Sequence, residues 1–200
     1  MYKIIINTSQ DGTVLIKNCS QYSILESSTI VLHRGENILE DLKYGFYIEY
    51  SIFHSNSIIS IDFSEYDTSN IIDMNSMFMA CDVHELDLSK FDTHNVRDMR
   101  NMFYRCQRLK HLDLSGFDIS KLCEISYMFY NCSSLEWLDI SSFTNMERII
   151  EYECLFYGCH SLNHIRCTKS FKEWCLENQN NICLPISMRK GGNGIWEIID

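Results

Sequence analysis

Leu86-Asp87-Leu88-Ser89-Lys90-Phe91-Asp92-Thr93-His94-Asn95-Val96-Arg97-Asp98-Met99-Arg100-Asn101-Met102-Phe103-Tyr104-Arg105-Cys106-Gln107-Arg108-Leu109 is the stretch that decides the fold. Its opening tetrapeptide stands as Ile61-Asp62-Phe63-Ser64 before it, and as Leu112-Asp113-Leu114-Ser115 and Leu138-Asp139-Ile140-Ser141 after it, at steps of 25, 26 and 26 residues. A degraded fifth copy is Ile165-Arg166-Cys167-Thr168. Behind each tetrapeptide come an aromatic and a polar residue (Tyr66-Asp67, Phe91-Asp92, Phe117-Asp118, Phe143-Thr144), and then a pair ending in Phe (Met77-Phe78, Met102-Phe103, Met128-Phe129, Leu155-Phe156). Cys81, Cys106, Cys132 and Cys159 follow three residues after each Phe, and Val83, Leu109, Leu135 and Leu162 come next. Self-similarity at a period of 20 to 50 residues is the signature of stacked repeats.

The spacings predict local structure. Leu86-Asp87-Leu88-Ser89 alternates with period two, which turns its leucines inward and Asp87 and Ser89 outward from a short strand. Met74, Met77, Phe78 and Cys81 fall at i, i+3, i+4 and i+7, the stripe of a short helix, and Met99, Met102, Phe103 and Cys106 repeat it. One such unit cannot bury its own apolar face. Neighbours must therefore stack, with their strands forming a parallel sheet along one side.

These motifs resemble the BspA-like branch of leucine-rich repeats of bacterial surface proteins and lipoproteins, whose repeat reads roughly L-D-L-S-x-F-D-T-S-N-V-x-x-M-x-x-M-F-x-x-C-x-x-L. The resemblance covers residues 58 to 167 and departs from the pattern at Ile119-Ser120-Lys121 and at an extra residue near Glu147 to Glu153. It implies a binding scaffold, of a kind often exposed at the cell surface for adhesion or host contact. The expected fold is α/β: a short leucine-rich-repeat-like solenoid of about four and a half repeats, with parallel strands on one side and short helices on the other.

The ends lack the period. Residues 1–56 are expected to form an N-terminal β cap, 57–167 the repeats and 168–200 a C-terminal cap. Tyr2 to Asn7 and Val14 to Asn18 flank Ser9-Gln10-Asp11-Gly12 like the arms of a hairpin, and Thr29 to Leu32 and Phe46 to Phe53 read as further strands. Ser170-Phe171-Lys172-Glu173 has the capping-box pattern of a helix start, with an end near Asn178. Gly191-Gly192-Asn193-Gly194 then separates two strand candidates, which gives a helix-hairpin cap.

Composition narrows function. Apolar residues make up 46% of the 200 and charged residues 22%, so the chain can bury a core. No apolar run is long enough to cross a bilayer, and the start has neither the basic end nor the long apolar stretch of a signal peptide, so a cytoplasmic protein is expected, or a cell-surface one if an export signal is missing. Residues 57–167 hold 17 Asp and Glu against 9 Lys and Arg, and carry −8 of the net −10. Such acidity repels nucleic acid and anionic membranes and favours a basic protein as partner. Ten cysteines with no paired spacing, four of them in one repeat column, read as reduced thiols in the core.

Chemistry is sparse. Gly191 to Gly194 lacks the Lys-Ser/Thr and helix of a phosphate loop. Cys159, His160, His164 and Cys167 have zinc-ligand residue types, but strand alternation sets His164 outward and Cys167 inward, so no metal and no cofactor are expected. Asp62, Asp87, Asp113 and Asp139 would stack about 4.8 Å apart, a spacing that solvent, hydrogen bonds from neighbouring Ser and backbone groups, or a cation must offset; a structural role is the preferred reading over a cation site. Asp67, Asp92 and Asp118 are read as turn-fixing residues.

What varies between copies lies just before each tetrapeptide: Ser60, Glu85, His111, Trp137 and His164. That column alternates with the core and must face outward. The expected partner-binding residues are therefore Glu85, His111, Asp113, Trp137 and His164, with Trp137 as the anchor unless the end of the array covers it. The expected function is a non-enzymatic protein-binding scaffold, with an immunity or inhibitor protein against a basic toxin, or a cell-surface adhesin fragment, as alternatives.

Overall fold

The computed structural model describes the backbone of residues 2–8, 14–20, 29–32 and 58–65, and both backbone and side chains of 68–69, 71–81 and 83–199. The strand expectation for Phe46 to Phe53 and the side chains of Asp62 and Asp67 lie outside the described residues. The fold is mixed α/β. In chain order the strands are β1 (Tyr2–Thr8), β2 (Val14–Ser20), β3 (Thr29–Leu32), β4 (Ile58–Glu65), β5 (Glu85–Leu86), β6 (His111–Asp113), β7 (Trp137–Asp139) and β8 (His164–Thr168), followed by helix α1 (Lys169–Glu177) and β9 (Ile195–Ile199).

β1 and β2 pair antiparallel with Tyr2 opposite Ser20, as the hairpin signal predicts, and β1 runs parallel to β4. The sheet order is β3-β2-β1-β4-β5. A second sheet, β6-β7-β8-β9, is parallel throughout, with Leu112, Leu138 and Ile165 in register and inward. The expectation of one continuous repeat sheet is corrected here. β5 and β6 belong to different sheets, so the strand ladder lapses between the second and third copies.

The stripe Met74, Met77, Phe78, Cys81 is buried, but not by a helix. Residues 75–80 form consecutive turns. The N–H groups of Met77, Met79 and Cys81 donate three residues back, to Met74, Ser76 and Phe78, whereas those of Met74, Ser76, Phe78 and Ala80 donate to Asp98, Arg100, Met102 and Tyr104 of the next copy. This alternation recurs from Met99 to Cys106 and from Ile125 to Cys132. Ser76, Ala80, Asn101, Arg105, Tyr127, Asn131 and Cys154 have φ between 48° and 61°, and each donates its N–H to the following coil. A left-handed residue costs roughly 1 kcal/mol and stops an α-helix; the inter-coil bonds offset it. Apolar spacing alone did not reveal this, because two successive turns bring i, i+4 and i+7 to one side much as a helix does.

Inside, Phe78, Phe103, Phe129 and Phe156 stack with centroids 5.6, 5.8 and 5.5 Å apart. Two buried threonines tie coils at the opposite corner: Thr68 Oγ1 donates to the Asp92 carbonyl and accepts from the Asp92 N–H, and Thr93 does the same with Asp118. Ile119 ends this ladder where the sequence departs from its pattern. The extra residue of the fourth copy is absorbed where the Ile150 and Glu151 N–H groups both reach the Cys123 carbonyl, at 2.8 and 3.3 Å.

At the far end the helix cap is Thr168, whose side chain accepts from the Phe171 N–H at 3.2 Å, and not Ser170. The helix does stop at Asn178. The expected hairpin is replaced by a parallel crossover: β9 pairs with β8, Ile165 opposite Trp196, after a turn of 3-10 helix at Ile186–Met188. Phe171 and Cys175 of α1 are buried, and Phe171 meets Phe143 edge to face at 6.0 Å. Among the described residues no helix is long and apolar enough to cross a membrane.

Candidate functional site

The residue before each inward Leu or Ile is carried to the outer face of the second sheet, and there His111, Trp137 and His164 are successive register partners. Neighbours in such a ladder stand about 4.8 Å apart. The chain enters β7 with the Glu136 and Trp137 N–H groups both on the Lys110 carbonyl, and enters β8 with Asn163 and His164 both on that of Glu136. Trp137 is half-buried in the middle of the row, its ring edge-on to His164 at 6.3 Å and 75°. With Glu136 and Asn163 the three residues line a shallow, open depression of about 470 Å³. The His164 Nε2 lies 3.0 Å from Glu197 Oε2, and Arg166 bridges Glu197 and Asp139 at 3.3 Å each.

Glu85 is exposed on the same kind of position but pairs with Ser60 of β4, so no strand ladder joins it to His111. Asp113 is exposed one pleat further along β6, opposite Asp139. The aspartate column works mainly as turns: the Oδ1 atoms of Asp87, Asp113 and Asp139 accept the N–H of Ser89, Ser115 and Ser141 at 3.0, 2.8 and 2.9 Å. Asp139 corrects the expectation of a uniformly outward acidic column. It is buried, with Arg166 against its Oδ2. Hydrogen bonds from His94 and from Ser120 hold Asp92 and Asp118 below the usual carboxylate range.

The Cys159 thiol is buried and donates to the Phe129 carbonyl, and Cys167 is buried, while His164 faces Glu197. Among the described residues no group of three or more His, Cys, Asp or Glu side chains is placed to hold a metal. The glycine run is a turn: the Gly192 and Gly194 N–H groups donate to Arg189 and Ser187, and a strand follows it rather than a helix.

The turn side carries two features that the apolar pattern hid. Tyr104, Tyr130 and Tyr157 stack at 4.9 and 4.7 Å outside the buried Phe column. The recurrent Phe-Tyr pairs at 103–104, 129–130 and 156–157 were the available signal. Beside them Arg100 binds Asp98 at 2.7 Å and Glu124 at 2.8 Å in a groove of about 570 Å³ with Tyr127 and Glu153 on its wall. Hydrogen bonding to Asp98 raises the Arg100 pKa further, and the bond to Glu153 raises that of Tyr127.

Residues 49–170 match the family described as Mycoplasma protein of unknown function, DUF285. The chain belongs to this family. No curated protein and no solved structure matches it. The DUF285 interval runs from before β4 into the start of α1, and so contains both the His111–Trp137–His164 row and the tyrosine stack. Glu197, which engages His164 and Arg166, lies beyond it on β9.

Proposed function

We propose that this DUF285 chain is a short leucine-rich-repeat solenoid of the BspA-like type, capped by the β1–β3 element and by α1 with β9, and that it serves as a non-enzymatic scaffold binding a basic protein. The coil-to-coil bonding and the continuous Phe stack support the solenoid. The pairing of β1 with the first repeat strand supports a cap, as does the burial of Phe171 against the last coil. The observation that carries the function is the row His111, Trp137, His164. Two histidines flanking a tryptophan, all accessible, sit side by side on a parallel ladder, at a strand position where the copies differ. Trp and Tyr are enriched among binding hot spots, and a half-buried Trp offers area with little entropy to lose. Exposed Asp87 and Asp113 with Glu85 add negative potential beside it, which favours a basic partner.

Paired affinity capture tests this reading, with the wild-type protein and Trp137→Ala as baits and Tyr130→Ala as a control on the turn side. A protein retained by wild type and Tyr130→Ala but lost from Trp137→Ala is expected. Loss with Tyr130→Ala and retention with Trp137→Ala would move the binding face to the tyrosine side.

A further inference from the structure

Of the nine cysteines whose side chains are described, six are buried and three, Cys123, Cys154 and Cys183, are partly exposed. Two of those three meet. The Cys183 Sγ donates to the Cys154 Sγ across 3.6 Å. The encounter is built by the fold: Cys154 and Cys183 are both left-handed, with φ of 48° and 53°, and hydrogen bonds from Cys154 N–H to Asn181 and from Phe156 N–H to Ile182 lay segment 181–183 alongside the fourth coil. With the sulfurs already 3.6 Å apart, side-chain rotation can close them to the roughly 2.05 Å of a disulfide.

We propose that Cys154 and Cys183 are a thiol pair that closes to a disulfide on exposure to a low-molecular-weight disulfide, locking α1 and segment 178–184 onto the last repeat. The Cys154 thiolate attacks the oxidant RSSR, forming a mixed disulfide and releasing one RS⁻. The Cys183 thiolate then attacks the Cys154 sulfur and expels the second RS⁻. The two protein thiols lose two protons and two electrons, and RSSR becomes two RSH. Cys183 is the resolving group: burial and the hydrogen bond with Cys154 push it up to about 11, so closure quickens with pH above neutrality. The bond encloses α1 in a closed loop, which constrains the unfolded chain. Cys167 and Cys175 lie within that loop but are fully buried.

The test incubates the full chain with oxidised glutathione at pH 8, quenches with acid, and reads intact mass and peptide maps. The expected product has lost two hydrogens through a Cys154–Cys183 cross-link. Its melting temperature is about 5 to 10 °C higher than that of the reduced chain and returns with dithiothreitol. Cys183→Ser should accumulate glutathione on Cys154 instead. The proposal is overturned if the wild-type chain yields only stable glutathione adducts, a cross-link through Cys123 or a core thiol, or no reaction at Cys154. Wild-type mapping decides this even if the Cys183→Ser chain does not fold.

Discussion

The Cys132 thiol donates to the carbonyl oxygen of Phe103, one coil away, across 3.0 Å of buried space. Cys106 does the same to Phe78 at 3.0 Å and Cys159 to Phe129 at 2.9 Å. The cysteine column is thus a second set of inter-coil ties beside the backbone ladder. A side chain small enough to fit, apolar enough to bury and able to donate weakly meets all three demands. Modification by a thiol reagent should therefore follow exposure. Cys123, Cys154 and Cys183 should react in the native protein, and Cys81, Cys106, Cys132 and Cys159 only after denaturant is added. Rapid native labelling of the second set would remove the ladder.

Phe103 is fully buried between Phe78 and Phe129. Phe103→Ala should destabilise the chain by about 3 to 5 kcal/mol, the usual range for a buried Phe that leaves a cavity. Urea unfolding measures it. An effect below about 1 kcal/mol would mean that the stack contributes little to folding.

The repeat made the stacking direction and the identity of the inward residues readable, because burial depends on spacing: Leu112, Leu138, Phe103 and Cys132 are all inside. The backbone between them was not readable in the same way. Ala80, Arg105 and Tyr127 are not residues that announce a left-handed φ, and they adopt it because each N–H finds a carbonyl on the next coil. That partner lies about 25 residues away, outside any local pattern. The site shows the same division. Strand alternation placed His111, Trp137 and His164 outward in one row, whereas the lapse between β5 and β6, and the partner Glu197 brought by β9, depend on tertiary pairing.

Alkaline pH should loosen the fold. Burial pushes Cys159 and Cys167 up to about 12, and Cys132 and Cys175 well above the ordinary 9.0. Between these values the native state keeps protons that the unfolded chain has released, so stability falls as pH rises. Their contribution is complete below pH 9 and is lost progressively toward about 12. Denaturant midpoints measured from pH 7 to 10.5 should be level at first and decline above 9, less steeply in Cys159→Ala. Midpoints that hold or rise above pH 9 would contradict the assigned burial.

Elemental analysis of protein purified without chelator should find less than one zinc or calcium per chain. The thiols of Cys159 and Cys167 are buried apart from the His164 to Glu197 contact, and the carboxylates of Asp87, Asp113 and Asp139 already accept backbone N–H groups. One metal per chain that disappears in His164→Ala or Cys167→Ala would establish a site.

The binding face gives the last prediction, and its parts respond differently. Trp137 is half-buried and its ring meets His164 edge-on, yet the backbone at His111, Trp137 and His164 is set in register by the strand ladder. Trp137→Ala should accordingly weaken a docked partner by about 2 kcal/mol or more while leaving the melting temperature nearly unchanged. Glu85 and Asp113 are exposed at the edges and should act through the long-range field. Reversing either charge should slow association of a basic partner and flatten its salt dependence, with little change in dissociation, because steering acts on encounter more than on the docked complex. Surface plasmon resonance at several salt concentrations separates the two effects. An association rate unchanged by Asp113→Lys, or an affinity indifferent to Trp137, His111 and His164 together, would place the partner elsewhere on the molecule.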